Sequence, residues 1–276
     1  MSNSRFETLE NGIVKLVLSP GLGARVVELS DKRTGRNWLT TGGNPEKTKN
    51  ATVYGGLQSI GWDECFPSIA ETPAPHPNRD HGDLWGREHE VRHVDNGIVS
   101  VFTHSEYVFR REIRLNRDTV EVQYCVNRPP LKTTPFPYMW SQHCLLATVP
   151  GEHITLAGLQ APRPAPPSEL SDLVIQDITA KQAHKSYAKV DETAEVTVSG
   201  LNGGIHFCWS AADIPWCGIW LDNGGWPSDA PLHQVAIEPT TAPFEDPQSA
   251  TRNGHGQTLQ PGQTAKWAMQ IKLSAS

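Results

Sequence analysis

The sequence predicts an all-β protein, a large antiparallel β-sandwich with two sheets packed face to face. Three observations carry this expectation. Short β-branched runs alternate apolar and polar residues with a period of two, the pattern of strands with one buried face. Long helical periodicity is scarce. The runs are separated by Gly, Pro, Asn and Asp, and the 276-residue chain holds 23 Gly and 22 Pro, the turn chemistry that a many-stranded fold requires.

The strands are expected in the following order. Residues 13–18 (IVKLVL) and 24–29 (ARVVEL) open the chain, the first behind an Asn11-Gly12 turn. Residues 99–102 (VSVF) follow Asn96-Gly97, a strong hairpin dipeptide. Residues 119–126 (TVEVQYCV), 194–198 (AEVTV) and 266–273 (KWAMQIKL) complete the clearest set, with Asn202-Gly203-Gly204 as another turn. Strand-like stretches also end at Leu146 and at Glu238. The proline-dense stretch 161–168 (APRPAPPS) reads as an ordered surface loop within one domain, and residues 169–181 as the place for a short helix. Residues 41–77 have little regular pattern, and a long irregular stretch in a compact protein is often functional. Residues 1–276 are expected to form a single domain, within the size range of one large sandwich.

Composition narrows the function classes. Hydrophobic residues make up 37% and charged residues 20%, a globular balance, and the formal net charge is −6. Lys and Arg are not clustered, so no nucleic-acid partner is expected. No stretch approaches the roughly 20 apolar residues of a membrane span. The N-terminal residues lack an apolar core of the secretory type, so a cytoplasmic location is expected. The five cysteines are scattered, odd in number and free of Cys-x-x-Cys pairs, which fits reduced thiols rather than disulfides or a cysteine-built zinc site.

Four segments offer proton-handling side chains. In Gly61-Trp62-Asp63-Glu64-Cys65 the adjacent acids would point to opposite faces of a strand, so at most one of them faces a given site. In Asp80-His81-Gly82-Asp83-Leu84-Trp85 the His-Gly pair lets an imidazole sit beside backbone that approaches a ligand closely. In Tyr138-Met139-Trp140-Ser141-Gln142-His143-Cys144-Leu145, a His143 that shares a buried face with Leu145 needs either a partner or a function. In Ile237-Glu238-Pro239, Glu238 ends an apolar strand, where partial desolvation would suit a general base. Nine tryptophans are present, and Trp62, Trp85 and Trp140 lie in these polar segments as candidate faces for sugar C–H surfaces. Asp80, His81, Asp83, Glu88 and His89 are metal-ligand types, but their spacing matches no zincin or EF-hand pattern, so no metal is expected.

Taken in order, these segments resemble the aldose 1-epimerase (galactose mutarotase-like) superfamily, over nearly the whole chain and as a divergent branch. Residues 21–29 with 31–39 look like that superfamily's opening hairpin. Asp80-His81-Gly82 with Trp85 looks like its substrate-binding loop, His143 falls where it has its general-acid histidine, and Glu238 where it has its general base. The chain departs from galactose mutarotases at Trp62-Asp63-Glu64, where they have an Asn-Arg motif, and in the residues that flank His143. The resemblance implies a galactose mutarotase-like supersandwich that interconverts the α and β anomers of an aldose without a cofactor. The catalytic residues it implies are His143 and Glu238. The substrate-binding residues are His81, Asp80, Trp62, Glu64, Trp85 and Trp140, with Asp222 as the late acid. The implied partner is a small-molecule sugar, and a homodimer is left open. Arg25, Arg79 and Arg87 are the candidates for reading an acidic substituent. Two other classes fit the same residues. One is a non-catalytic carbohydrate-binding sandwich. The other is a metal-dependent sugar isomerase or lyase using Asp80, His81 and His89.

Overall fold

The computed structural model describes residues 6–42, 53–55, 59–73, 77–165 and 173–275. Its strands are β1 (Glu7–Glu10), β2 (Val14–Ser19), β3 (Arg25–Asp31), β4 (Arg36–Asn37), β5 (Trp62–Cys65), β6 (Glu90–Val94), β7 (Gly97–Thr103), β8 (Val108–Asn116) and β9 (Thr119–Asn127). The second half adds β10 (Phe136–Tyr138), β11 (Ser141–Leu146), β12 (His153–Leu159), β13 (Gln182–Gly200), β14 (Gly203–Ser210), β15 (Trp216–Asn223), β16 (His233–Thr240), β17 (Gln257–Leu259) and β18 (Thr264–Ser274). A short helix, α1 (Pro247–Arg252), is capped by Asp246, whose side chain accepts from the Ser249 amide.

All of the strand pairs are antiparallel. The hydrogen-bonded order is β1-β2-β3-β5-β11-β16-β15-β13-β14-β18-β9-β8-β7-β6. The 19-residue β13 joins the two layers of the sandwich. Residues Gln182 to Lys189 pair with β15 in the first sheet, and Thr193 to Gly200 pair with β14 in the second. The expected strands are all present, and each expected Asn-Gly turn lies at a hairpin: β1–β2, β6–β7 and β13–β14. The described residues of the stretch 41–77 contain one strand, β5, along with Tyr54 and Ser59, which face the site described below.

Two expectations meet the limit of the described residues. The proline-dense stretch runs beside β13, with Arg163 and Tyr187 exchanging backbone hydrogen bonds of 2.8 Å, but residues 166–172 lie outside the described part. The helix expected in 169–181 is, in its described portion, a single 3-10 turn at Ile178–Ala180 capped by the Asp177 side chain.

The core lies between the sheets. Trp140 from the segment before β11 meets Tyr124 of β9 at 4.7 Å and Trp267 of β18 at 5.1 Å between ring centroids. Glu64 is sealed into this layer. One of its carboxylate oxygens accepts from Trp62 Nε1 (3.0 Å), Arg111 Nη1 (2.9 Å) and Tyr124 Oη (3.0 Å), and the other from Trp140 Nε1 (2.9 Å). Burial pushes this carboxyl up to about 7, while Arg111, Tyr124 and Trp62 pull it down. A buried carboxyl is tolerated only with its lone pairs satisfied in this way.

Candidate active site

The side chains of β5, β11, β16, β15 and β13 that alternate away from the core face a common cavity. Asp63 and Glu64 obey that rule. Glu64 enters the core, whereas Asp63 points to the opposite face and pairs across strands with His143. The β11–β16 register pairs Ser141 with Thr240 and Cys144 with Ile237, which places His143 opposite Glu238. Glu238 in turn pairs with Gly218, and Gly218 with Tyr187. One row across five strands therefore reads Asp63, His143, Glu238, Gly218, Tyr187. Gly218 leaves space there for both neighbours, since a Cβ at this position would stand 2.9 Å from a Glu238 carboxylate oxygen and 3.3 Å from Tyr187.

His143 is buried and held through Nδ1, which lies 2.9 Å from Asp63 Oδ1 and 3.1 Å from the Tyr54 hydroxyl. Asp63 is bound on its other oxygen by the fully buried Arg25. Burial raises the Asp63 carboxyl, but Arg25 and then the hydrogen bond from His143 outweigh it and hold it at about 2. Asp63 is therefore a carboxylate at neutral pH. It fixes the proton of His143 on Nδ1 in the neutral ring and stabilises the imidazolium, leaving Nε2 as the nitrogen free to act.

The loop before β6 brings a second imidazole. His81 and Gly82 both adopt left-handed backbone conformations, with φ of 57° and 76°. Gly82 packs so closely on Phe66 that a Cβ would meet its carbonyl oxygen at 2.2 Å. His81 Nδ1 lies 2.9 Å from Asp80 Oδ1, Tyr54 stacks on the ring at 3.7 Å, and the His143 ring stands 5.1 Å away, edge-on. Burial lowers the His81 pKa, with Asp80 pulling it back up and His143 adding to the fall.

At the other end of the row, Glu238 is ion-paired with Lys185 of β13. Burial draws the Lys185 ammonium down, but Glu238 and Glu245 outweigh it and hold its pKa above the ordinary value. Glu245 also accepts from the Tyr187 hydroxyl.

The cavity enclosed by these groups measures about 330 Å³ and is lined by Asp80, His81, His143, Glu238, Lys185 and Glu245, with Tyr54, Cys65, Trp220, Trp226 and Gln234 among the rest. A second cavity of about 620 Å³ shares Ser59, Trp226 and Gln234 with it and extends past Pro227 and His233.

Asp80, His81, His143 and Glu238 are thus brought together, and five other expected residues are not. Trp62, Trp85 and Trp140 are each fully buried. The indole N–H groups of Trp62 and Trp140 serve Glu64, and that of Trp85 donates to the Asp80 carbonyl at 2.8 Å. None offers a face to the cavity, and Glu64 is turned into the core with them. Asp222 is also fully buried, and its Oδ1 accepts from the amides of Gly224, Gly225 and Trp226 at 3.1, 2.9 and 3.2 Å. It shapes the turn that presents Trp226. The tryptophans that do line the cavity are Trp220 and Trp226, which flank Asp222 in sequence.

The arginines also serve structure. Arg25 pairs with Asp63, Arg79 lies over the Trp85 ring at 3.6 Å, and Arg87 is exposed outside the cavity lining. His89 is buried against Phe102, with Nε2 3.2 Å from the Leu84 carbonyl oxygen and its pKa pushed down to about 3 by burial, so it does not join Asp80 and His81.

Sequence reasoning missed Tyr54, Lys185, Trp220, Trp226 and Glu245, and of the Asp63-Glu64 pair it chose Glu64, where the structure sets Asp63 against His143 and turns Glu64 into the core. The usable signal was period two. Lys185 and Tyr187 share a face on β13, as do Asp63 and Cys65 on β5.

No family model matches the chain, and no curated protein matches it in sequence. Solved structures do match in fold. A galactose mutarotase-related enzyme from Lactobacillus acidophilus superposes with a TM-score of 0.71 at 15% identity, over 97% of each chain. An aldose 1-epimerase candidate from Escherichia coli gives 0.71 at 16% identity, over 98% of this chain and 99% of that one. A galactose mutarotase-like protein from Clostridium acetobutylicum gives 0.69 at 14%, over 98% and 95%. The fold of this chain is the galactose mutarotase-like β-sandwich.

Proposed function

We propose that the protein is an aldose 1-epimerase, interconverting the α and β anomers of an aldose or aldose derivative by acid–base ring opening and closure. The observation that carries this reading is the pairing of His143 and Glu238 on neighbouring strands, facing one cavity, with His143 backed by an ionised Asp63. In the forward direction the Glu238 carboxylate takes the proton of the anomeric hydroxyl. The His143 imidazolium gives its Nε2 proton to the ring oxygen as the bond from that oxygen to the anomeric carbon breaks. The free aldehyde turns about its bond to the next carbon. Re-closure returns the proton from the ring hydroxyl to His143 and the proton on Glu238 to the anomeric oxygen, so no proton is gained or lost.

The other groups position the sugar. His81, with Nδ1 occupied by Asp80, offers Nε2 to a sugar oxygen. Trp220 and Trp226 offer apolar faces to the C–H surface, and Lys185 fixes the Glu238 carboxylate. The adjoining cavity leaves room for a substituent on the sugar.

Exchange NMR of anomeric protons over a panel of free, phosphorylated and acidic aldoses tests the proposal. Faster α/β exchange is expected with at least one sugar, falling by about 10² to 10⁴-fold in Glu238→Gln and in His143→Ala. A Glu238→Gln protein with full activity would sink the assignment. Sugar-dependent line broadening without accelerated exchange would instead make the protein a carbohydrate-binding sandwich.

A further inference from the structure

The acid end of the cavity places a thiol that proton transfer does not use, Cys65, beside the two histidines of the site. Cys65 follows Asp63 by two residues on β5, so its thiol faces the same side, at the cavity wall, where it packs in a small apolar cluster with Ile69 and Met139 apart from the main core. The ligand atoms of Cys65, His81 and His143 all lie within 4.8 Å of one another. They come from three separate parts of the chain, 16 and 62 residues apart, which is why no spacing motif announces them.

The surroundings of the two histidines match those of metal ligands. Each has Nδ1 against a carboxylate, His81 on Asp80 and His143 on Asp63, both at 2.9 Å. Among the described residues, that leaves Nε2 of each ring as the nitrogen free for an ion. A carboxylate on the far nitrogen is the usual outer support of a metal-bound histidine, fixing its tautomer and its aim.

We propose that Cys65, His81 and His143 form a binding site for a borderline divalent transition metal of the zinc class, at the acid end of the cavity. One sulfur and two imidazole nitrogens are the donor set that such ions prefer over oxygen-seeking magnesium or calcium. Tetrahedral bonds of about 2.0 to 2.3 Å bring ligand atoms to roughly 3.5 Å apart, so small side-chain rotations complete the site. The fourth position opens on the cavity, to water or a sugar oxygen. Binding occupies His143 Nε2, so, on the proposed acid–base reading, the ion-loaded protein cannot protonate a ring oxygen. The ion is then an inhibitor of anomer exchange, whether or not a sugar oxygen takes its fourth position. This set differs from the Asp80, His81 and His89 combination, which the buried position of His89 rules out.

Titration of the full-length protein with Co²⁺, followed by absorbance, tests the site without reference to activity. The expected result is a thiolate-to-cobalt charge-transfer band that saturates at one ion per chain and is displaced by Zn²⁺. In Cys65→Ser the band is expected to vanish, with Zn²⁺ affinity by calorimetry falling at least 10-fold. Asp80→Asn, which removes only an outer support, is expected to weaken Zn²⁺ by about 10- to 100-fold while keeping the band. Circular dichroism confirms that each variant is folded. A wild-type protein that binds Co²⁺ without the band, or whose Zn²⁺ affinity is equal in Cys65→Ser, overturns the proposal. So does a protein with no measurable affinity for either ion. If the band forms but no aldose shows accelerated exchange, with or without chelator, the metal site stands and the epimerase reading falls.

Discussion

His143 Nδ1 lies 2.9 Å from Asp63 Oδ1, and the two residues are cross-strand partners in the middle of the first sheet. The acid of the proposed reaction is thereby aimed by backbone register as much as by its own rotamer. Asp63→Asn keeps the shape but loses the charge that stabilises the imidazolium and can reverse the tautomer. A fall in kcat of about 10²-fold or more is expected, with a smaller change in KM. Anomer exchange measured at saturating sugar checks this, and unchanged kcat would remove Asp63 from the mechanism.

Lys185 reaches Glu238 across the gap left by Gly218. Lys185→Met would leave Glu238 and Glu245 at the cavity wall without the ammonium that separates them. The expected effect is a loss of about 10² in kcat through misplacement of the base, with partial recovery in Lys185→Arg. Steady-state kinetics of the two variants decides the matter. Equal losses in both would mean that the shape of Lys185 matters and its charge does not.

The tryptophans divide into two groups with opposite expected readouts. Trp220 and Trp226 line the cavity, so Trp220→Ala and Trp226→Ala should weaken sugar binding by roughly 10-fold each and leave the melting temperature nearly unchanged for the half-exposed Trp226. Trp62 and Trp140 donate to Glu64 inside the core, so Trp140→Phe should leave sugar affinity alone and destabilise the fold by about 1 to 3 kcal/mol through the unmet carboxylate lone pair. Glu64→Ala strands the buried Arg111 guanidinium and should cost about 3 to 5 kcal/mol. Sugar titration and chemical denaturation on the same variants separate the two groups.

Much of the architecture was legible because strand alternation and Asn-Gly turns are local signals, and they mark β2, β3, β7, β9 and β18 directly. His143 and Glu238 were legible from their place in strand-like segments, although β16 runs on past Glu238 to Thr240 where the sequence suggested that the strand stops at Glu238. The choice of tryptophans was not. A Trp beside polar residues in sequence can point either way, and for Trp62 and Trp140 the deciding fact is Glu64, which lies with them on the core side and takes both indole protons. Lys185 was hidden for a similar reason. Its partner is 53 residues away in sequence and two strands across the sheet. The Cys65–His81–His143 cluster is likewise a product of the tertiary fold, with no counterpart in spacing.

Asp63 also predicts how stability responds to acid. Its carboxyl is held at about 2 in the fold against an ordinary 3.8, so between those values the unfolded chain binds more protons than the folded one. Stability from this group is complete above about pH 4 and is lost as pH falls toward 2, the sign of a depressed carboxyl. The shift corresponds to about 2 kcal/mol, with little solvent screening because Asp63 is 3% exposed. Urea unfolding of the wild type and of Asp63→Asn at intervals from pH 2 to 6 measures it. The wild type should lose about 2 kcal/mol more than the variant across the acid limb, even though the variant starts lower because Arg25 has lost its charged partner. Parallel acid limbs in the two proteins would show that the Arg25–Asp63–His143 chain does not couple folding to protonation.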